Sequence, residues 1–119
     1  MNLVEFLLTI QNQIKIYHWQ TESHAEHKAL DQAYEELAEL IDQFLETYMG
    51  KYGRPKAKDA FKINLLNYSD DFKKSLKSYI KILAEDFPKA FSEKDTDLLN
   101  IRDEMLGGLN QLMYLLSLS

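Results

Sequence analysis

The sequence contains no cysteine, which excludes disulfides and every site built on thiolate ligands, from structural zinc to iron–sulfur clusters. It holds only 2 prolines and 4 glycines in 119 residues. With so few breakers the turns are few and the elements long, which favours helices over a many-stranded sheet. No apolar run approaches the roughly 20 residues of a membrane span. The first ten residues lack a basic start and a small-residue cleavage site, and Glu5 interrupts their apolar run, so they do not read as a signal peptide. Positive charge is scarce as well, with 14 Lys and Arg against 19 Asp and Glu, a net charge of −5. That balance argues against a general affinity for a nucleic-acid backbone. A Gly-rich phosphate loop and a Gly-flanked serine are both missing, so a nucleotide enzyme or a serine hydrolase is unsupported. The expectation is an intracellular, cytoplasmic chain that contacts neither membrane nor nucleic acid.

What is present is helical periodicity. Asn2 followed by Glu5 resembles a capping box, and Leu3, Leu7, Ile10, Ile14 and Tyr17 then recur at three- and four-residue spacing, predicting a first helix over about 3–21. Ser23 is the candidate N-cap of a second helix over about 24–50, with Leu30, Tyr34, Leu37, Ile41, Phe44 and Tyr48 on its apolar face and Gly50 as its stop. A third helix is predicted over about 70–86 behind Ser69-Asp70-Asp71, and a fourth over about 96–117. Gly107-Gly108 inside the fourth costs roughly 1 kcal/mol each relative to Ala, which close approach of another backbone would explain. Residues 51–68 break the pattern and carry Lys51, Arg54, Lys56, Lys58 and Lys62. They read as a solvated crossover, with a short helical turn expected in 57–66. The fold class that follows is all-α: one domain over 1–119, a four-helix bundle with a long connection between its second and third helices.

All three histidines fall between residues 18 and 27: His18, His24 and His27. His18 shares a helix face with Leu3, Leu7 and Ile14, so it should point into the bundle. Each residue advances about 100° around a helix. With His27 at zero, Asp31, Asp42 and Glu46 share a stripe about 100° wide beside the apolar face. Imidazole and carboxylate suit iron, manganese or zinc. The pairs His27/Asp31 and Asp42/Glu46 each have i, i+4 spacing, but about 16 Å of helix separates Asp31 from Asp42. One ion cannot touch both pairs in one protomer. Either these are separate weak sites, or the second helix pairs antiparallel with its own copy about a two-fold axis near Glu36 and Leu37, giving two equivalent sites per dimer. Glu35, Glu36 and Glu39 read as solvated surface.

Tyr17-His18-Trp19, His27-Lys28-Ala29-Leu30-Asp31 and Asp42-Gln43-Phe44-Leu45-Glu46 together resemble the ferroxidase signature of Dps proteins, ferritin-like four-helix proteins that oxidise and store iron at a site between subunits. The resemblance implies a ferritin-like bundle. It also implies a homo-oligomer paired at least as a two-fold dimer through the second helix. Metal would be held by His18, His27 and Asp31 of one subunit with Asp42 and Glu46 of the other, and Trp19 would lie nearby. Iron(II) is the implied metal, with zinc and manganese compatible with the same donors. The turn after the first helix is about three residues shorter than the family pattern and lacks its usual Gly, and no basic tail precedes the first helix. These departures weigh against a hollow shell and against DNA binding. Size and the His–Asp–Glu pattern also resemble small ferritin-like proteins of phages and large DNA viruses. A within-subunit ferritin site needs Glu-x-x-His on two helices, and the third and fourth helices contain no histidine. The alternative expectation is a non-catalytic ferritin-like interaction module whose polar stripe faces solvent or a partner protein.

Overall fold

The Asn2 side chain accepts the Glu5 N–H at 3.0 Å, and helix α1 follows as Leu3–Gln20. Ser23 does the same for the Glu26 N–H at 3.2 Å, opening α2, His24–Tyr52. Both caps satisfy backbone donors that a helix N-terminus leaves unpaired. The computed structural model describes residues 1–119, and it continues with α3 (Lys73–Glu85), a 3-10 turn (Phe87–Ala90) and α4 (Thr96–Leu116). There are no strands, and no helix is long and apolar enough to cross a membrane.

Contacts at the helix ends fix the directions. At one end Tyr17 of α1 meets Ser75 at the start of α3, with oxygens 2.7 Å apart, and Lys73 donates to the Leu116 carbonyl near the end of α4 at 3.2 Å. At the other end Lys51 of α2 reaches Asp95 and Asp97 at the start of α4, at 3.0 and 2.6 Å. So α1 and α4 run one way, and α2 and α3 run the other. The second and third helices are therefore parallel, and the connection between them must travel the length of the bundle. Leu7, Ile10, Ile14, Leu30, Leu98 and Met105 fill the shared core. Phe87 of the 3-10 turn closes one end, its ring centre 5.1 Å from that of Phe44 and 5.7 Å from that of Phe6.

Two helix boundaries and one glycine contact differ from expectation. Helix α2 passes through Gly50 and stops at Gly53, whose φ of 83° with ψ of 179° is a conformation essentially confined to glycine. The added turn is held because Lys51 and the Tyr52 hydroxyl both bond Asp95. Helix α3 starts at Lys73 rather than 70, because the Ser69 hydroxyl bonds the Asp71 carboxylate instead of capping the helix. Buried Phe72, edge-on to Tyr17 and tilted against Tyr68, sets the start instead. No backbone lies near Gly107 or Gly108: a methyl group on either would meet nothing within 4 Å. The close approach expected for that pair is not made within the chain, since Met105, Leu109 and Leu112 carry the α2–α4 packing.

The connection contains no helical turn. Its backbone is held by side chains of α1. Glu5 accepts the Lys62 N–H at 2.6 Å. The Gln13 amide, fully buried, both accepts the Leu66 N–H at 2.7 Å and donates to the Leu66 carbonyl at 2.8 Å. Gln20 accepts the Tyr68 N–H at 2.6 Å.

Replacing Gln13 by Ala leaves both Leu66 backbone groups unpaired beside a cavity, a cost of about 1–3 kcal/mol. A thermal melt should fall by roughly 4–8 °C per kcal/mol lost, with faster hydrogen exchange at the Leu66 amide. An unchanged melt would mean the connection is not held there. Acid should act at the far end. The Tyr52 hydroxyl, then the Lys51 ammonium, hold Asp95 below its ordinary value of 3.8, and Lys51 does the same for Asp97. A depressed carboxyl contributes stability that is complete above its ordinary value and lost as pH falls through the depressed one. Melting followed from about pH 5 to about pH 2 should therefore fall less steeply in Asp95→Asn than in the unaltered protein, and the variant should already melt lower at neutral pH.

Candidate metal centre

The turn joining α1 to α2 is only Thr21, Glu22 and Ser23. Thr21 accepts the Ser23 N–H at 3.1 Å and donates to Glu26 at 2.7 Å. Buried Glu26 is also bonded by the Tyr68 hydroxyl at 2.8 Å, so the turn, the connection and α2 are tied at one carboxylate. A turn this tight brings the last turn of α1 directly against the first turn of α2. His18 and His27 stack there, ring centres 3.8 Å apart and planes 21° from parallel.

The two imidazoles are cross-bonded to each other's backbone. His18 Nδ1 lies 2.8 Å from the His27 carbonyl, and His27 Nδ1 lies 2.9 Å from the His18 carbonyl. A carbonyl oxygen only accepts, so each Nδ1 must carry the hydrogen. In the neutral ring this leaves the lone pair on Nε2. Orientation by a backbone carbonyl is how metal-binding histidines are commonly fixed. Asp31 completes the group, its Oδ1 3.8 Å from His18 Nε2. His18 is buried, at 7% exposure, as its apolar helix face requires; His27 is open to solvent and Asp31 partly so.

His18, His27 and Asp31 are thus brought together. Asp42 and Glu46 are not brought to them: both are exposed further along α2, on the same stripe. No three His, Asp or Glu side chains of one protomer are arranged to close on a single ion. His24, Glu35, Glu36 and Glu39 are exposed. Trp19 lies beside the pair but is 65% exposed.

Sequence reasoning missed Lys15. Its ammonium sits 3.9 Å from Asp31 Oδ1, 4.5 Å from the centre of the Tyr34 ring and 5.6 Å from that of Trp19. The signal was present in the spacing, since Lys15 is one helical turn before both His18 and Trp19. The stripe between the two ligand pairs also carries Tyr34, Ala38 and Leu45, all partly exposed.

The tautomers are directly measurable. Long-range proton–nitrogen correlation at neutral or higher pH should show His18 and His27 protonated on Nδ1 and bare on Nε2. A neutral ring bare on Nδ1 would contradict the cross-bonded arrangement.

Residues 18–116 match a family of unknown function, DUF5856. The chain is also 32% identical over 115 residues to a protein of Enterobacteria phage T4, described as an uncharacterized 14.6 kDa protein in the mobD–ri intergenic region. That alignment covers 94% of this chain and 83% of the phage protein. No solved structure matches. The matched stretch takes in both histidines, the acidic stripe of α2 and all of α3 and α4, so the chain belongs to the DUF5856 family.

Proposed function

We propose that the protein is a Dps-like member of the ferritin-like superfamily that binds iron(II) between two copies of itself and oxidises it. The observation that carries this reading is the cross-bonded histidine pair. Two imidazoles with Nδ1 tied to carbonyls each keep a free Nε2 lone pair, and that of His18 lies beside the Asp31 carboxylate, donor types that fit iron, zinc or manganese. One protomer supplies half of a coordination sphere. Antiparallel pairing of α2 with its own copy would bring Asp42 and Glu46 of the partner to His27 and Asp31, with Ala38 opposite the partner's Glu35 near the dyad. The order helix–helix–crossover–helix–helix, with parallel middle helices, supports the ferritin-like part of the reading.

Iron is the substrate here. The carboxylates would offset its charge, and the buried, oriented His18 would hold it in place. Each pair of ferrous ions gives two electrons either to dioxygen, which takes two protons and leaves as hydrogen peroxide, or to hydrogen peroxide, which takes two protons as its O–O bond breaks and leaves as two waters. Lys15 meets the Asp31 charge in the free protomer, so an entering cation would displace its ammonium.

Metal that binds only the folded pair stabilises it by linkage. Iron(II) under nitrogen, or zinc as a redox-inert mimic, should raise the melting temperature and shift the protein to dimer. His27→Ala and Asp42→Ala should each abolish both effects. Mixing the two variants separates a shared site from two independent ones. A hybrid dimer has one doubly damaged site and one intact site, so an equimolar mixture should recover about a quarter of the original metal binding. No recovery on mixing, or a monomer that binds metal equally well, would defeat the shared site. Aerobic iron oxidation no faster than in buffer would leave the fold serving as a helical interaction module.

A further inference from the structure

Residues 62–68 of the connection between α2 and α3 form an extended strap along α1 that belongs to no sheet. From Glu5 to Gln20 helix α1 rises about 22 Å, and the steps from Lys62 to Tyr68 reach about 20 Å only when fully extended. The bonds to α1 confirm the alternation expected of such a chain. The Lys62, Leu66 and Tyr68 N–H groups and the Leu66 carbonyl all face α1. Those are even-numbered positions. In an extended chain the backbone N–H and C=O of neighbouring residues point to opposite sides, so those of Ile63, Leu65 and Asn67 point away from α1. None of these three makes a backbone hydrogen bond within the protein. Ile63, Leu66 and Phe61 are 40, 49 and 44% exposed, Asn64 and Asn67 are exposed and Leu65 is half-buried, and no strand pairs with this edge.

We infer that the outward edge at Ile63, Leu65 and Asn67 accepts an extended, acidic peptide segment of a partner protein as an added strand. An open edge with free donors and acceptors is a template for strand addition, in which the main chain gives affinity and alternate side chains give selectivity. Charge selects the occupant. Arg54, Lys56, Lys58 and Lys62 lie on or beside the strap against the single carboxylate Asp59. None of the four cations is ion-paired within the chain. This is a basic strip on a protein of net charge −5. A second copy would bring four further cations and only one carboxylate to the same strip, so like charge disfavours self-pairing. An acidic strand instead meets complementary charge, while Phe61 and Ile63 offer it apolar contact.

The probe is a capped peptide of alternating glutamate and valine, titrated into the isotope-labelled full chain. Amide exchange should slow, and signals shift, at Ile63, Leu65 and Asn67, while Lys62, Leu66 and Tyr68 stay as they were. Affinity should fall with added salt. Ile63→Pro removes one outward donor and touches no bonded backbone group, so the variant should melt close to the unaltered protein and bind about fivefold more weakly. The same peptide N-methylated on the residues facing the strap should fail against the unaltered protein, a control that does not depend on how any variant folds. The proposal is overturned by unchanged exchange at those three amides in millimolar peptide. It is equally overturned by the same protection appearing in concentrated protein alone, which would make the occupant a second copy. Protection by oligothymidylate in place of the peptide would make the occupant a nucleic acid and overturn it too.

Discussion

A chain that must run the length of a helical bundle outside any helix carries a row of backbone donors and acceptors with no partners of their own. Here that constraint is met from one side by α1. Glu5, Gln13 and Gln20 are placed along one side of the helix and bond the strap at Lys62, Leu66 and Tyr68. Gln13 is the decisive one. A fully buried amide is costly unless paired, and it is paired twice, to both polar groups of one residue. The parallel order of α2 and α3, the position of Phe72 and the start of α3 all follow from where this strap is delivered. The same clamp leaves the strap's opposite edge unpaired, because a helix can present side chains to only one side of a strand.

Much of this was legible in the residues. Four amphipathic stripes, the Asn2 and Ser23 caps and the existence of a long break between the second and third helices are local signals, and local signals survive folding. The inward direction of His18 followed from its place on an apolar stripe. The grip of α1 on the strap did not show, because Gln13 reads as the end of the polar run Gln11-Asn12-Gln13 and its partner lies 53 positions away. The end of α2 was misplaced for a related reason: Gly50 is a weak helix former, but Lys51 and Tyr52 find their partner at Asp95, across the bundle. Tertiary bonds overrode propensity in both places. Gly107 is the converse, a glycine whose apparent need for space the chain itself never uses.

The histidine pair depends on the brevity of the α1–α2 turn. Nine residues separate His18 from His27, and only a three-residue connection lets each ring reach the other's carbonyl. A longer turn would let the helix ends splay and free both Nδ1 atoms to compete for the lone-pair role. The turn that departs from the Dps pattern in length is therefore the one that fixes which nitrogen faces outward. Spacing on a helical wheel could group these residues but could not assign their tautomers, because that assignment comes from backbone groups. Lys15 was overlooked for a similar reason, since a cation on a helix surface is unremarkable until Asp31 and Tyr34 are brought beside it.

Helix α1 therefore serves two surfaces that point in different directions. Taking Glu5 as zero on its wheel, Gln13 and Gln20 lie at about +80° and +60°, whereas Leu8, Lys15 and His18 lie at about −60°, −80° and −140°. The strap occupies the first arc, and the histidine pair with the open face towards α2 occupies the second. A partner strand added at Ile63, Leu65 and Asn67 would thus leave the α2 stripe free, and pairing of α2 with its copy would leave the strap's edge free. Loss of one need not impair the other, because apart from the rigid α1 between them a single link joins the two. The coupling that does exist runs through Glu26: it is bonded by Thr21 in the turn beside the histidines and by Tyr68 at the end of the strap. Any movement of the strap's last residues would be felt first at that carboxylate, one residue before His27.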